Sequence, residues 1–221
     1  MTKRLFDLVL GSILLFLFLP LFLVIAVILL LTGEGEVFYL QERIGLNNRP
    51  FKIIKFATML ANSEKIGTGS ITIKNDPRVL PFGKILRKTK INEIPQIINV
   101  LIGDMSFVGP RPQMGKDFEK FPVKAQEIIY RSTRPGITGL GSVFFRDEER
   151  WISECDGDKH VYYREKIAPY KSELELWYGE NQTIFLDFKI LIITAIVIMF
   201  PRSSIMYKLI KNLPERPSHL K

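Results

Sequence analysis

LVLGSILLFLFLPLFLVIAVILLL, residues Leu8 to Leu31, carries no charge, and every side chain apart from Gly11, Ser12, Pro20 and Ala26 is Leu, Ile, Val or Phe. A run longer than ~18 such residues has the length and apolarity to enter a bilayer. Pro20 divides it, because proline removes a backbone donor and crowds the preceding turn. Each half is then about 16 to 18 Å long, roughly half of a ~30 Å hydrocarbon core. Two paths fit: a kinked helix that spans, or one that dips in and returns. Lys3 and Arg4 precede the run and a basic region follows it, so both flanks read as cytoplasmic by the positive-inside tendency, in keeping with the second path. A cleaved signal is disfavoured, since its apolar core would be about 7 to 15 residues and end at small residues. Thr32-Gly33-Glu34 offers no such site.

The 221 residues suffice for one well-buried domain with an appendage. Lys and Arg number 31 against 23 Asp and Glu, a formal charge of +8. The excess is local: eleven basic residues lie between Arg43 and Lys90 with only Glu64 and Asp76 among them. Such a field attracts an anionic partner, whether nucleic acid, anionic membrane or a phosphorylated substrate. Cys155 is the single cysteine, which rules out an intrachain disulfide and suits a reducing compartment.

Beyond the apolar run, Glu36 to Gln41 and Pro50 to Phe56 read as a hairpin turning through Gly45 to Asn48. A polar loop is expected over Ala61 to Asn75, and Asp76-Pro77 precedes a helix carrying Lys84 and Arg87. Phe118 to Thr133 reads as one helix. Thr183 to Phe200 is apolar but interrupted by Asp187 and Lys189, leaving eleven uncharged residues, which suits a helix in the membrane interface or packed on the anchor. From Pro201 the chain reads as a mobile basic tail near anionic lipid. The expected fold is α+β and mainly helical.

The chemistry concentrates in KILRKTKINEIPQIINVLIGDMSFVGPRP, Lys84 to Pro112. Arg87 and Arg111 carry planar guanidinium forks that match phosphate oxygens, and Glu93 and Asp104 are the carboxylates. Asn92 is expected to cap the helix that follows, a terminus that also attracts anions. Arg111 between two prolines, and Arg134 before Pro135-Gly136, sit in stiff turns that suit anion binding. Asp156-Gly157-Asp158 with His160 lacks a second cluster at ligand spacing, so no metal is assigned there. Trp177 and Tyr178 read as packing residues. No P-loop, GxGxxG or zinc pattern occurs.

Taken together, Lys3-Arg4-Leu5-Phe6-Asp7, Gln41-Glu42-Arg43-Ile44-Gly45, Phe51 to Phe56, Gly103 to Pro112, Arg134 to Gly139 and Leu186 to Lys189 occur in an order that resembles the monotopic polyprenol-phosphate phosphoglycosyl transferases, a bacterial sugar transferase family. The resemblance implies a membrane-monotopic chain: a Pro-kinked re-entrant helix over 1–33, a cytoplasmic catalytic domain over 34–182, and an interfacial helix and tail over 183–221. It implies the bacterial inner membrane, with the catalytic domain on the cytoplasmic face. It implies transfer of a phosphosugar from a UDP-sugar to polyprenyl (undecaprenyl) phosphate with release of UMP, initiating a surface glycan, with Mg2+ as cofactor. Membrane lipids and downstream glycosyltransferases follow as partners. No nucleic acid partner is expected, because an aromatic-rich stacking surface is not evident.

In that family an adjacent Asp-Glu pair carries the reaction, the Asp attacking phosphorus and the Glu helping to hold the metal. By position Glu93 matches the Glu, so it is the expected metal ligand and catalytic carboxylate, and Asn92 stands where the nucleophile would be. Arg87, Arg111, Arg134, Arg146 and Asp187 are the expected substrate-binding residues. The chain departs from the pattern at Ala57, at Leu19 before Pro20, in an apparent insertion from Phe145 to Ser172, and above all at Asn92, whose amide is a poor nucleophile. Attack by Glu93, a carboxylate from Asp147-Glu148-Glu149, or direct attack by polyprenyl phosphate would each restore an active enzyme. A degenerate member that binds UDP-sugar or lipid phosphate without turnover is the alternative.

Overall fold

The computed structural model describes residues 2–63, 76–155, 157–200 and 205–220. Helix α1 runs unbroken from Thr2 to Thr32 with Pro20 inside it. It is long and apolar enough to cross a membrane by length and composition, and little of it is buried. Asp7, Gly11, Phe22, Ile25 and Leu29 form the stripe that turns inward, spaced three or four residues apart within each half. Phe16, Leu23 and Leu31 on other faces are exposed.

The KRLFD segment at the start of α1 is a bolt. Lys3 Nζ donates to Asp187 Oδ2 at 2.5 Å and to the Val108 carbonyl at 2.9 Å. Arg4 donates to the carbonyls of Val100 and Leu101, at 2.5 and 2.8 Å, at the C-terminal end of helix α3 (Gln96–Ile102), where carbonyls lack a full set of helical partners. Asp7 accepts from Ser106 Oγ and the Phe107 amide at 3.0 and 3.1 Å.

Strands β1 (Phe38–Ile44) and β2 (Pro50–Phe56) pair antiparallel from Phe38↔Phe56 to Ile44↔Pro50. The hairpin is as the sequence suggests, but β1 starts two residues later and extends to Ile44, because pairing with Lys52, Phe51 and Pro50 draws Glu42 to Ile44 into the ladder. Asn47 and Asn48 take left-handed backbone at φ 57° and 56°, which asparagine tolerates. Asn99 of α3 accepts from the Ile54 amide and donates to the Lys52 carbonyl, fixing α3 to β2. Of the expected polar loop, residues 64–75 lie outside the described residues. Helix α2 (Pro81–Lys88) follows with proline at its first turn.

Short strands β3 (Ser106–Val108) and β4 (Gly136–Thr138) pair in parallel. They approach so closely that a Cβ on Gly109 would lie 2.3 Å from the Arg134 carbonyl. Gly109→Ala should therefore cost about 2 kcal/mol, read as a lower thermal midpoint in detergent.

The single helix expected from Phe118 to Thr133 is instead two, α4 (Gly115–Phe118) and α5 (Val123–Ile128). Pro122 breaks it, since proline cannot donate and turns the preceding residue away from helical backbone. Asn92 is not a helix cap either. It lies within a 3-10 turn, Ile91–Glu93, entered through left-handed Lys90 at φ 60°, and no side-chain cap bond forms there.

Helices α6 (Leu140–Phe144), α7 (Glu148–Glu154) and α8 (Lys159–Tyr162) lead through a π turn, Tyr163–Ile167, into α9 (Ala168–Asn181). Asp158 caps α8, accepting from the His160 and Val161 amides at 2.7 and 3.1 Å, a structural use for an acid that invited a metal reading. Tyr178 is fully buried, as a packing residue should be. Helix α10 (Ile184–Met199) is capped by Thr183 and packs on the anchor through Phe6–Phe188, ring centroids 5.1 Å apart, and Lys3–Asp187. Its Ile190, Ile193 and Val197 join the main core with Val100, Met105, Leu140 and Leu174. The expected mobile tail is folded back where described: helix α11 (Ile205–Leu209) and residues beyond it bury Met206, Ile210 and Leu220, and Tyr207 bonds to Tyr170 at 2.7 Å. Apolar residues recurring through a basic segment supply that anchorage.

Candidate active site

A cavity of about 580 Å³ opens among α1, α3, α6 to α10 and the loop after β3. Its polar end gathers Arg43, Lys90, Glu93, Arg111, Asp117 and Lys120. Glu93 arrives on the 3-10 turn and Lys55 on β2, and their charges stand 3.5 Å apart, with Arg111 Nη2 at 4.0 Å from the same carboxylate oxygen. Burial alone would push the Glu93 carboxyl up, but Lys55, Arg111 and Lys90 outweigh it and hold it down at about 2. Glu93 is therefore an ionised carboxylate at any physiological pH.

Arg111 is held by its backbone. The Arg111 amide donates to Glu175 Oε1 at 3.2 Å, and the Arg111 carbonyl accepts from Gln113 Nε2 at 3.1 Å and from the Tyr130 hydroxyl. Gly109 N to Thr138 O and Gly136 N to Pro110 O, at 2.9 and 2.8 Å, tie the same loop to β4. The guanidinium thus projects from a turn fixed on both sides, an arrangement that lowers the entropy lost when it grips an anion.

Burial pulls the Lys55 ammonium down to about 8, with Arg43, Arg111 and Arg87 adding to the fall and Glu93 opposing it. Anion binding at this end should accordingly weaken as pH rises through about 8, an effect read with sulfate, whose charge is constant there. Lys55→Arg should move that limb above pH 10. Unfolding would not mimic it. Between about 8 and the ordinary 10.5 the unfolded chain binds the Lys55 proton more tightly than the folded one, so this group makes stability rise with pH. Glu93 works the other way at acid pH: its contribution is complete above 4.5 and lost as pH falls towards about 2.

Of the residues singled out in the sequence, Glu93, Arg111 and Arg146 line the cavity together. Arg87 lies outside the lining, with Nη1 3.7 Å from Met59 Sδ, yet is near enough to depress Lys55. Arg134 Nε donates to the Gly103 carbonyl at 2.9 Å, beside Arg4 at the end of α3, away from the cavity. Asp187 is fully buried, holding Lys3 and, at 2.6 Å, the Tyr178 hydroxyl. Asn92 is buried and does not line the cavity, and its amide oxygen has no hydrogen-bond partner among the described residues. Of the acidic cluster, Glu148 lines the cavity in a 2.6 Å pair with Lys171.

Arg43, Lys55 and Glu175 were not named as site residues. Lys55 was legible: it shares the inward face of β2 with Phe51 and Ile53 at period two, and a charge on a buried strand face is a functional signal. Glu175 was legible in the same way, since Lys171, Leu174, Glu175 and Tyr178 fall on one buried face of α9. Burial raises the Glu175 carboxyl to about 7, against the opposing pull of the Arg111 amide and Lys171.

Another part of the same lining is apolar. Leu14 of α1, Ile94 and Ile97 at α3, Phe107, Ile137, and Val197 and Ile198 of α10 form its walls. One space therefore joins a cationic cluster to α1 and α10, two strongly apolar helices.

The family model for bacterial sugar transferase matches residues 1–201. The exopolysaccharide production protein ExoY of Rhizobium meliloti is 33% identical over 218 residues, covering 92% of this chain and 88% of the relative. A UDP-glucose:undecaprenyl-phosphate glucose-1-phosphate transferase of Klebsiella pneumoniae is 36% identical over 196 residues, 87% of this chain and 39% of its own length. A UDP-N-acetylgalactosamine-undecaprenyl-phosphate N-acetylgalactosaminephosphotransferase of Aeromonas hydrophila is 36% identical over 186 residues, 84% and 40% respectively. This chain thus spans about two fifths of the latter two relatives, and it belongs to the bacterial sugar transferase family.

Proposed function

We propose that this chain transfers a sugar 1-phosphate group from a UDP-sugar to polyprenyl (undecaprenyl) phosphate, releasing UMP, as the step that starts a surface glycan. The observation that carries this reading is the continuity of the cavity. Its cationic residues fit phosphates, its apolar lining fits an isoprenoid chain, and the presence of Leu14 of α1 and of Val197 and Ile198 of α10 in that lining supports a path from lipid.

Glu93 acts as the nucleophile in place of the amide at Asn92. It is the ionised carboxylate beside Arg111, and Asn92 does not line the cavity. A Glu93 oxygen bonds to the β-phosphorus while the bond from that phosphorus to the bridging oxygen breaks, and UMP leaves with that oxygen. An oxygen of polyprenyl phosphate then bonds to the phosphorus and expels the Glu93 carboxylate. No net proton is required. Arg111 and Arg43, which line the cavity, hold the charge that shifts between these oxygens, Lys55 supports Glu93 from behind, and Arg146 meets the outer phosphate oxygens.

The residues fit a Mg2+ that arrives with its diphosphate. Among the described residues no three His, Cys, Asp or Glu side chains converge, and the Glu93 carboxylate lies 4.0 Å from the Arg111 guanidinium in the cavity lining. Magnesium is commonly held in this way, by one or two carboxylates with substrate phosphates and water. It would neutralise diphosphate charge, with Glu93 as its protein ligand.

The two ends of α1 meet the same domain, Lys3 and Arg4 at one end and Phe22, Ile25 and Leu29 against Phe56 and Leu86 at the other. That supports a monotopic anchor bent at Pro20, entering and leaving on the cytoplasmic face of the bacterial inner membrane. The lipid product then stays in the bilayer for downstream glycosyltransferases.

The test is label transfer in nanodiscs from radiolabelled UDP-sugars with undecaprenyl phosphate. The expected result is organic-extractable label with equimolar UMP and none without the lipid phosphate. Water-soluble sugar phosphate formed regardless of lipid would overturn the reading.

A further inference from the structure

Part of the cavity lining forms a chamber of different character, made by Ser142 and by Phe145, Glu148, Tyr163 and Lys171 of the segment that reads as an insertion, Phe145 to Ser172. Its chemistry differs from that of the phosphate end. Lys171, only 2% exposed, pairs with Glu148 at 2.6 Å and reaches the Tyr163 hydroxyl at 3.5 Å. The Lys171 ammonium also lies over the rings of Phe145 and Tyr163, at 5.6 and 5.4 Å from their centroids. Ser142 contributes a hydroxyl oxygen that is covered yet has no hydrogen-bond partner among the described residues. Ser142, Phe145, Glu148, Tyr163 and Lys171 all line the one cavity.

The desolvation of a buried ion pair can exceed what the pair returns, so its presence in a cavity wall is weak evidence for a purely stabilising role. Here the pair is near neutral overall, which disfavours a further phosphate, and it presents an acceptor and donors side by side. An unpartnered hydroxyl adds a group that can do either. Aromatic faces complete the lining. Vicinal hydroxyls over an apolar ring face, as in a pyranose, match that set, because each sugar hydroxyl donates once and accepts once while the ring C–H face packs on aromatic carbon. Position agrees. Arg111 and Arg43 are close enough to bias the Tyr163 hydroxyl electrostatically, so the chamber adjoins the phosphate end, where a phosphate-linked sugar would have to be.

We propose that Ser142, Glu148, Tyr163 and Lys171 form the hexose subsite and set which UDP-sugar is used. The inference rests on the transfer reading for its substrate class. Gly141 belongs to the same lining: a Cβ there would lie 2.3 Å from Glu175 Oε1, so the chain beside Ser142 packs on the Glu175 carboxylate, one turn of α9 from Lys171.

The experiment compares wild type, Ser142→Ala and Glu148→Gln with UDP-glucose, UDP-galactose, UDP-N-acetylglucosamine and UDP-N-acetylgalactosamine. Turnover and calorimetric affinity are both measured, and UMP affinity serves as the reference. Glu148→Gln should lower kcat/KM for the preferred sugar about 100-fold and Ser142→Ala about tenfold. In both variants the preference over the C4 epimer should shrink to within about threefold, and UMP affinity should hold within about twofold. Ser142→Ala removes one oxygen, so it remains informative if loss of the Glu148 charge unfolds the chain.

An unchanged sugar ratio in Ser142→Ala would overturn the subsite. So would a matching loss of UMP affinity, which would place the nucleotide in the chamber. If wild type turns over none of the four but binds one of them more tightly than UMP, and Ser142→Ala loses that margin, the subsite stands and the transfer reading fails.

Discussion

Glu93→Gln is expected to reduce UMP release by about 10³-fold or more while UMP affinity changes by less than about threefold. The substitution keeps size and hydrogen-bonding capacity but removes the charge that Lys55 and Arg111 surround at 3.5 and 4.0 Å. If Glu93 merely balanced those cations, Gln would leave them free to bind phosphate more strongly, and affinity would rise with turnover little changed. A fall in kcat with unaltered affinity is what loss of a group needed only for bond-making produces. The turn carrying Glu93 should keep its shape, because it is built on backbone bonds, Glu93 N to Lys90 O at 3.1 Å and Ile94 N to Ile91 O at 3.1 Å, while the stability that the Glu93 charge supplies above pH 4.5 is lost.

Lys3→Met should destabilise the protein by about 3 kcal/mol, seen as a fall of roughly 10 °C in the thermal midpoint in detergent. Lys3 supplies the cation for Asp187, whose side chain is 1% exposed and has the Tyr178 hydroxyl as its other close donor. Removing the lysine strands a carboxylate in the core, and the penalty for that exceeds the net worth of the pair itself. Burial already pushes the Asp187 carboxyl above its ordinary value, with Lys3 pulling it back. Without Lys3 the carboxyl should rise further, so the defect should narrow as pH falls and protonation neutralises it. The functional consequence follows from position: Lys3 also holds the Val108 carbonyl, one residue before the Gly109-Pro110-Arg111 turn. Loosening the anchor therefore loosens the anion grip.

Much of this arrangement was legible in the chain, and its gaps have physical causes. The apolar run and the hairpin follow from composition and period, and both stand in the structure. Glu93, Arg111 and Arg146 were named and meet in one cavity. Arg134 and Asp187, by contrast, bond to Gly103 and Lys3, partners 31 and 184 residues distant, which no local pattern reveals. A single helix over Phe118 to Thr133 is ruled out by Pro122, whose missing donor and fixed ring separate α4 from α5. Asn92 failed as a cap because a left-handed Lys90 starts the turn earlier, a conformation with no sequence signal outside Gly and Asn. The tail was read from its charges, whereas Met206, Ile210 and Leu220 decide its place.

The most direct test is peptide mapping by mass spectrometry of wild type and Asn92→Asp, each quenched during turnover with UDP-sugar and Mg2+ before lipid phosphate is added. The predicted result is a phosphosugar adduct on Glu93 of the wild-type chain, formed with one equivalent of UMP and discharged when polyprenyl phosphate follows. Turnover confined to Asn92→Asp, with the adduct on residue 92, would contradict it and mark the native chain as a binding protein. Wild-type turnover without any adduct would contradict it differently, by assigning the attack to the lipid phosphate itself.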